Sequence, residues 1–162
     1  MWLGNLPAIG LGSKINTLAV EQEPSSPRPV VEVAVGVLMN DVGAVLLGQR
    51  PVGKPYAGYW EFPGGKIESG ETLFAALSRE LLEEIDVLID DAEEFMVLEH
   101  DYPHAYVRLH ICLVKSWQGQ PRGLENQALG WLNIKDVDQI DIAGFDPVLP
   151  ATLPILEKLK RI

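Results

Sequence analysis

The chain contains a single cysteine, Cys112, so no internal disulfide can form. Cys112 lies in the apolar run from Val107 to Val114 and is expected as a buried strand residue. Histidine is also scarce: His100, His104 and His110 lack the spacing of a zinc site and read as structural or surface groups. Basic residues are few, 13 against 23 acidic ones, for a formal net charge of −10. That balance excludes a protein that wraps polymeric nucleic acid, because phosphate backbones select basic surfaces. It leaves open a small phosphorylated substrate whose charge is met by a bound cation. No apolar run approaches the roughly 20 residues of a membrane span. The first 21 residues are apolar but interrupted by Gly4, Pro7, Gly10 and Gly12, and they lack the basic start of a secretory signal. A cytoplasmic protein is expected.

What is present is enough for one domain: 162 residues, 47% of them hydrophobic. Residues 22–29, QEPSSPRP, read as a linker, so the division expected is an extension over 1–29 and a folded domain over 30–162. The informative stretch begins at Gly64. Gly65 is followed after five residues by Glu71, and after seven more by Arg79-Glu80-Leu81-Leu82-Glu83-Glu84. Thr72 is a suitable N-cap and no Gly or Pro interrupts Leu73 to Ile85, which predicts a helix of about three to four turns. At about 100° per residue, Glu80, Glu83 and Glu84 share one arc, beside an apolar stripe of Phe74, Leu77, Leu81 and Ile85. Like charges on one arc repel unless something positive sits among them. A charge run is ordinarily a solvated face. The glycines and proline of Glu61-Phe62-Pro63-Gly64-Gly65-Lys66, together with Glu71, favour instead a constrained loop beside carboxylates that suit Mg²⁺ or Mn²⁺.

Here the chain resembles the Nudix hydrolases, whose box is G-x5-E-x7-R-E-U-x-E-E-x-G-U, with U an apolar residue. One position departs, Asp86 standing where the box has its last Gly. Asp is among the better substitutes for Gly in a left-handed, helix-ending position, so little local cost and no lost chemistry is expected. The resemblance spans roughly residues 30–162 and is nearest the MutT-type branch, which converts nucleoside triphosphates to the monophosphate and pyrophosphate. It implies an α/β fold, the Nudix α/β/α sandwich over a mixed sheet. It also implies a metal site from Glu80, Glu83 and Glu84 with the Gly64 carbonyl.

Other roles follow from the same resemblance. Glu125, after the Trp-x-Gly-x-Pro loop, stands where that branch carries a further metal-linked carboxylate or base; a solvated loop acid is the other reading. Arg79, four residues before Glu83, pairs with it and orients it, and Glu71 holds the loop–helix geometry. Lys66 is either a phosphate contact or a solvated loop lysine. Arg50, Glu61 and Phe62 match nucleotide-touching positions, Phe62 having core packing as its alternative. Thr152 occupies the position of an asparagine that reads the oxidised base, and Ala105 replaces an expected arginine. A hydroxyl cannot reproduce the separate donor and acceptor of an amide, which puts 8-oxoguanine selectivity in doubt without touching the hydrolytic machinery. Pro103 stands at a distance past the box where some ADP-ribose hydrolases carry a proline. A Nudix-like binding module that has lost catalysis is the third reading, disfavoured because every box carboxylate is intact.

The remaining elements expected are a hairpin of Val30–Leu38 with Ala44–Leu47, a short strand at Trp60–Phe62 leading into a Pro63-Gly64-Gly65 turn, strands at Glu94–Glu99, Tyr106–Trp117 and Gly130–Ile134, and a helix over Ile155–Lys160 with Pro154 in its first turn.

Overall fold

A computed structural model describes residues 28–103, 105–138 and 144–162. The extension up to residue 27, and His104, lie outside the described residues. Seven strands and two helices follow in the order β1 (Val30–Leu38), β2 (Ala44–Gln49), β3 (Trp60–Glu61), β4 (Gly64–Lys66), α1 (Leu73–Ile85), β5 (Leu88–Asp101), β6 (Tyr106–Gln118), β7 (Leu129–Asn133) and α2 (Thr152–Leu159), with a 3-10 turn at Ile134–Asp138 before α2.

The strands form two sheets. The larger is mixed, in the order β4-β1-β6-β5, with β1 and β6 parallel and the other pairs antiparallel. The smaller is antiparallel, β3-β2-β7. Strand alternation assigns the faces of β1. Val33, Val35 and Val37 point to a core completed by Ile155, Leu156 and Leu159 of α2. Ala34 and Leu38 point to a second core with Leu77, Leu81 and Ile85 of α1. Helices on both faces of a mixed sheet are the expected sandwich. A Cβ on Gly36 would come within 3.0 Å of Leu81 Cδ1, so glycine sets how closely α1 approaches β1. Leu81 is fully buried, and its truncation to alanine is worth about 2–5 kcal/mol of stability.

Helix α1 has the predicted bounds. Thr72 Oγ1 accepts from the Ala75 N–H at 3.1 Å, and Asp86 ends the helix in the left-handed region at φ 59°. Its buried face consists of Ala76, Leu77, Leu81, Glu84 and Ile85, whereas Phe74, expected on the apolar stripe, is exposed. Cys112 is buried on β6, and burial pushes its thiol up to about 11.

Four details differ from the expectations. The Asn40–Gly43 turn forms, with Asn40 N–H bonded to the Ala44 carbonyl at 2.9 Å, yet β1 and β2 do not make a hairpin. One bridge, Met39 to Val45, joins them before the strands diverge, β1 to pair with β6 and β4, β2 with β3 and β7. Gly64-Gly65 is an edge strand on β1 and not a turn; only glycine fits there, since a Cβ on Gly64 would lie 2.1 Å from the Ala34 carbonyl oxygen. Strand β5 runs far beyond Glu94–Glu99, through bulges whose broken register blurs the alternation. Helix α2 starts at Thr152, three residues early, and Pro154 is tolerated because the first helical N–H groups have no partner within the helix. Among the described residues no helix is long and apolar enough to cross a membrane.

Candidate active site

The end of the sheet where β3 passes into β4 brings together the C-terminal half of α1, the loop before β7, and the start of α2. Gly65 on β4 lies directly under α1: a Cβ there would fall 2.2 Å from the Glu80 carboxyl carbon. The absence of a side chain at Gly65 is therefore what seats the Glu80 carboxylate.

Arg79 is the positive group among the acids. Its Nε and Nη2 donate to the two oxygens of Glu71 at 2.9 and 2.8 Å, its Nη1 to Glu80 at 2.7 Å, and its Nη2 also to the Lys66 carbonyl at 3.0 Å. A fork of this kind needs a planar guanidinium. Arg79 approaches Glu83 only at 3.6 Å, so its main charge partners are Glu71 and Glu80, and the expected i,i+4 pair is the weakest of its contacts. Hydrogen bonds from Arg79 and from the Glu68 backbone hold Glu71 down at about 2, while the same carboxylates raise Arg79. Glu71 thus ties the loop before α1 to the helix.

The glutamates of the box are not equivalent. The Glu83 side chain is 58% exposed. Glu84 is buried and accepts from the Gly64 N–H at 3.2 Å. Burial first, then the charges of Glu125, Glu61 and Glu80, push the Glu84 carboxyl up to about 8. Glu125 is exposed on the loop before β7, close enough for its charge to act on Glu84. Four hard carboxylates around one helix end suit a divalent cation in chemistry, and the raised Glu84 marks a place where positive charge is favoured. The carboxylates do not converge as placed: among the described residues no three acidic or imidazole groups already form a coordinating cluster, and Glu80 is turned to Arg79. Lys66 has an exposed side chain, and its carbonyl holds Arg79.

A pocket opens beside this acidic edge, lined by Glu61, Phe62, Gly64, Tyr102 and Thr152 among others. Phe62 is both core and pocket wall, so its two readings coexist. Thr152 is 3% exposed at the first turn of α2. Arg50 is buried. With no exposed side-chain surface, it donates from Nη1 to both Glu61 oxygens at 3.0 and 3.1 Å, and from Nε to the Pro55 carbonyl at 2.7 Å. Arg50 therefore stands behind Glu61 and fixes it. Burial pushes Glu61 up despite the opposing pull of Arg50. A second, smaller pocket shares Glu61 and reaches Glu84 and Gln127, so Glu61 joins the first pocket to the acidic edge.

Two residues were not singled out from the sequence. Tyr102 is buried at the β5–β6 turn and lines the pocket, where burial raises its phenol. An aromatic before a proline between two strands was the available signal. Gln127 had none, because its role depends on backbone groups from elsewhere.

A model of the NUDIX domain matches residues 30–151. An 8-oxo-dGTP diphosphatase of Escherichia coli is 34% identical over 132 residues, which cover 82% of this chain and 98% of that protein. A CTP pyrophosphohydrolase of the same organism is 34% identical over 128 residues, 79% of this chain and 90% of that protein. Among solved structures, the Escherichia coli ORF135 protein superposes with a TM-score of 0.71 at 32% identity, covering 86% of this chain and 94% of that one. A MutT NUDIX hydrolase from Burkholderia pseudomallei gives 0.68 at 28% identity, covering 80% and 97%. With every charged position of the box in place on a strand–loop–helix of matching fold, the chain belongs to the Nudix family, in its MutT-like branch.

Proposed function

We propose that the protein is a Mg²⁺-dependent nucleoside triphosphate pyrophosphohydrolase, releasing the monophosphate and pyrophosphate. The observation that carries this reading is the adjacency of two features. An acidic edge of Glu80, Glu83, Glu84 and Glu125 lies against a pocket walled by Phe62, Tyr102 and Thr152, with Glu61 common to both. Glu80, Glu83, Glu84, Glu125 and the Gly64 carbonyl are the groups that would hold the metal, which when bound would supply charge neutralisation on the phosphates and a more acidic water. Mn²⁺ suits the same oxygen donors. Arg79 and Glu71 keep the loop–helix geometry fixed while the phosphates bind. The attacking water passes its proton to a carboxylate of this edge, its oxygen bonds to phosphorus, and the phosphoanhydride bond breaks with the electron pair leaving on the bridging oxygen. Lys66, exposed on β4, is the cation that this reading assigns to phosphate contact. Polymeric nucleic acid is not a partner on this reading, given the net charge of −10.

The base preference follows from the pocket walls. Thr152 offers one hydroxyl where two-point reading of an oxidised purine needs an amide. Selectivity for 8-oxo-dGTP over dGTP is accordingly small. Glu61, a carboxylate on the pocket wall, is suited to accept from an exocyclic amino group, which cytosine, guanine and adenine carry and thymine and uracil lack. Pro103 favours ADP-ribose only weakly. The test is a screen of purified protein with Mg²⁺ against canonical and oxidised nucleoside triphosphates and ADP-ribose, assaying pyrophosphate and orthophosphate separately. Pyrophosphate release from a triphosphate is expected. Turnover of ADP-ribose alone, or of nothing, refutes the reading.

A further inference from the structure

The Gln127 side chain bridges the backbones of two acidic residues far apart in sequence. Its Nε2 donates to the Glu84 carbonyl oxygen at 3.0 Å, and its Oε1 accepts from the Glu125 N–H at 2.9 Å. A primary amide is the side chain that supplies a donor and an acceptor at one tip, so no apolar or purely acidic residue of that length makes both contacts. The bridge is one part of a seam. The Arg122 N–H donates to the Ile85 carbonyl and the Leu124 N–H to the Glu84 carbonyl, each at 3.0 Å, and the Arg122 Nε reaches the Asp86 carboxylate at 2.7 Å. The last turn of a helix leaves its carbonyls without intrahelical donors, and here the loop before β7 supplies them. The Glu84 carbonyl receives two of these donors, while the Glu84 carboxylate on the other side of the same residue accepts from Gly64. Gly123 is fitted to the arrangement, since a Cβ there would lie 2.2 Å from the Gln127 carbonyl oxygen.

We propose that Gln127 is a positioning residue that sets Glu125 over the C-terminal end of α1, so that Glu84 and Glu125 act on one divalent cation. The inference rests on the metal assignment in the proposed function and deepens it. Glu125 is exposed and has its backbone N–H bonded to Gln127, so the amide is what restrains this loop carboxylate from moving freely. The other donors of the seam fix residues 122 and 124, but the chain between Leu124 and Gln127 turns through a left-handed Asn126 at φ 60°, and Gln127 closes that turn.

The test is a double-mutant cycle on the full chain, with Gln127→Met and Glu125→Gln alone and together, read by Mn²⁺ dissociation constants from electron paramagnetic resonance in the absence of nucleotide. Gln127→Met keeps the length of the side chain and removes both hydrogen bonds. It is expected to weaken Mn²⁺ binding about tenfold, the scale of two modest hydrogen bonds spent on order. In the Glu125→Gln background the same change is expected to cost less than about twofold, because the carboxylate being positioned is gone. Thermal midpoints of the four proteins, expected within a few degrees of one another, separate positioning from unfolding. Equal losses in both backgrounds, or Mn²⁺ binding that ignores Gln127, overturn the proposal, as does a wild-type protein that binds no Mn²⁺. A protein that shows the expected cycle yet hydrolyses no nucleoside triphosphate supports the positioning role and refutes only the substrate reading.

Discussion

The adjacent glycines of β4 make a prediction that separates chemistry from folding. In Gly65→Ala the new Cβ falls 2.2 Å from the Glu80 carboxyl carbon and 2.4 and 2.5 Å from its oxygens. Carbon–carbon contact needs about 3.5–4 Å, so the carboxylate must retreat by roughly 1.5 Å. The obstacle is the tip of a flexible side chain, and the φ of Gly65 is not among the positive ones, so the fold accepts alanine. The expected stability loss is about 1 kcal/mol, at the low end for overpacking. Glu80 would lose its 2.7 Å contact with Arg79 and its place at the acidic edge, and a misplacement of about 1 Å or more is worth about 10²-fold in rate. Gly64→Ala meets something different: the Ala34 carbonyl oxygen at 2.1 Å and the Val35 Cα at 2.8 Å, both backbone of β1. Backbone in the middle of a sheet cannot swing away, so β4 must leave β1, at about 3 kcal/mol or more. For a domain of this size that is a fall in Tm of roughly 6–12 °C. Thermal melts and steady-state kcat under saturating Mg²⁺, measured on both variants, decide the matter. A Gly65→Ala protein with wild-type kcat would falsify the placement of Glu80 in the reaction. A Gly64→Ala protein that melts like wild type would refute the account of the close approach.

Glu84→Gln removes a buried charge at the metal edge while keeping its shape, and kcat is expected to fall about 10²-fold or more with the fold retained; unchanged turnover would exclude Glu84 as a ligand. Thr152→Asn supplies the missing amide, and the kcat/KM ratio for 8-oxo-dGTP over dGTP is expected to rise by one to two orders of magnitude, about 1–3 kcal/mol of discrimination; an unchanged ratio places base reading elsewhere. A chain starting at Pro29 is expected to fold and keep its kcat. It loses Arg28, however, which donates to the Tyr102 and Pro103 carbonyls at 2.9 and 3.1 Å and pairs with Asp101, so nucleotide KM should rise by a few-fold through the turn that carries Tyr102. A truncated protein that is insoluble would instead assign the arm to the core. His110 gives a pH dependence: burial opposes its charge, but Glu32 and Glu94 at 2.6 and 3.0 Å outweigh that and raise it above 6.5. A raised pKa stabilises the folded state fully below the unfolded value and loses that stabilisation as pH climbs through the folded one. The stability difference between wild type and His110→Gln should therefore shrink above about pH 6.5, and a difference that grows with pH would contradict the ion pairs.

Local signals were legible and long-range ones were not. Thr72, the uninterrupted run to Ile85 and the left-handed Asp86 gave α1 to the residue, because capping and periodicity act within a few positions. The partner of β1 could not be read the same way. The Asn40–Gly43 turn suggested a hairpin, but parallel pairing with β6, some seventy residues on, won the hydrogen bonds. The glycines of β4 were expected to turn the chain, since close backbone approach and a tight turn leave the same residue in the sequence. At the site, Glu71, Arg79 and Glu80 were recognisable from their spacing. Arg50 was read as a nucleotide contact, and the sequence does not reveal that its Nε reaches the Pro55 carbonyl and its Nη1 reaches Glu61.

The charge problem posed by the sequence has a divided answer in the structure. Five glutamates and one arginine within one helix and its preceding loop are too many like charges for Coulomb repulsion alone to permit cheaply. Arg79 resolves the half nearest the helix start, holding Glu71 at about 2 and bonding Glu80. It does not reach Glu84, whose carboxyl stands at about 8 under burial and the fields of Glu125, Glu61 and Glu80. A fold selected for stability alone would place an apolar residue at Glu84, which packs in the buried face of α1 beside Leu81 and Ile85. The cost is incurred where β4, the Glu125 loop and the pocket meet, the place that the proposed function assigns to a divalent cation and a polyphosphate. Arg79 meets Glu71 and Glu80 directly, whereas Glu84 is held among other acids at the edge of the pocket, which is why the acidic end of α1 carries the functional reading.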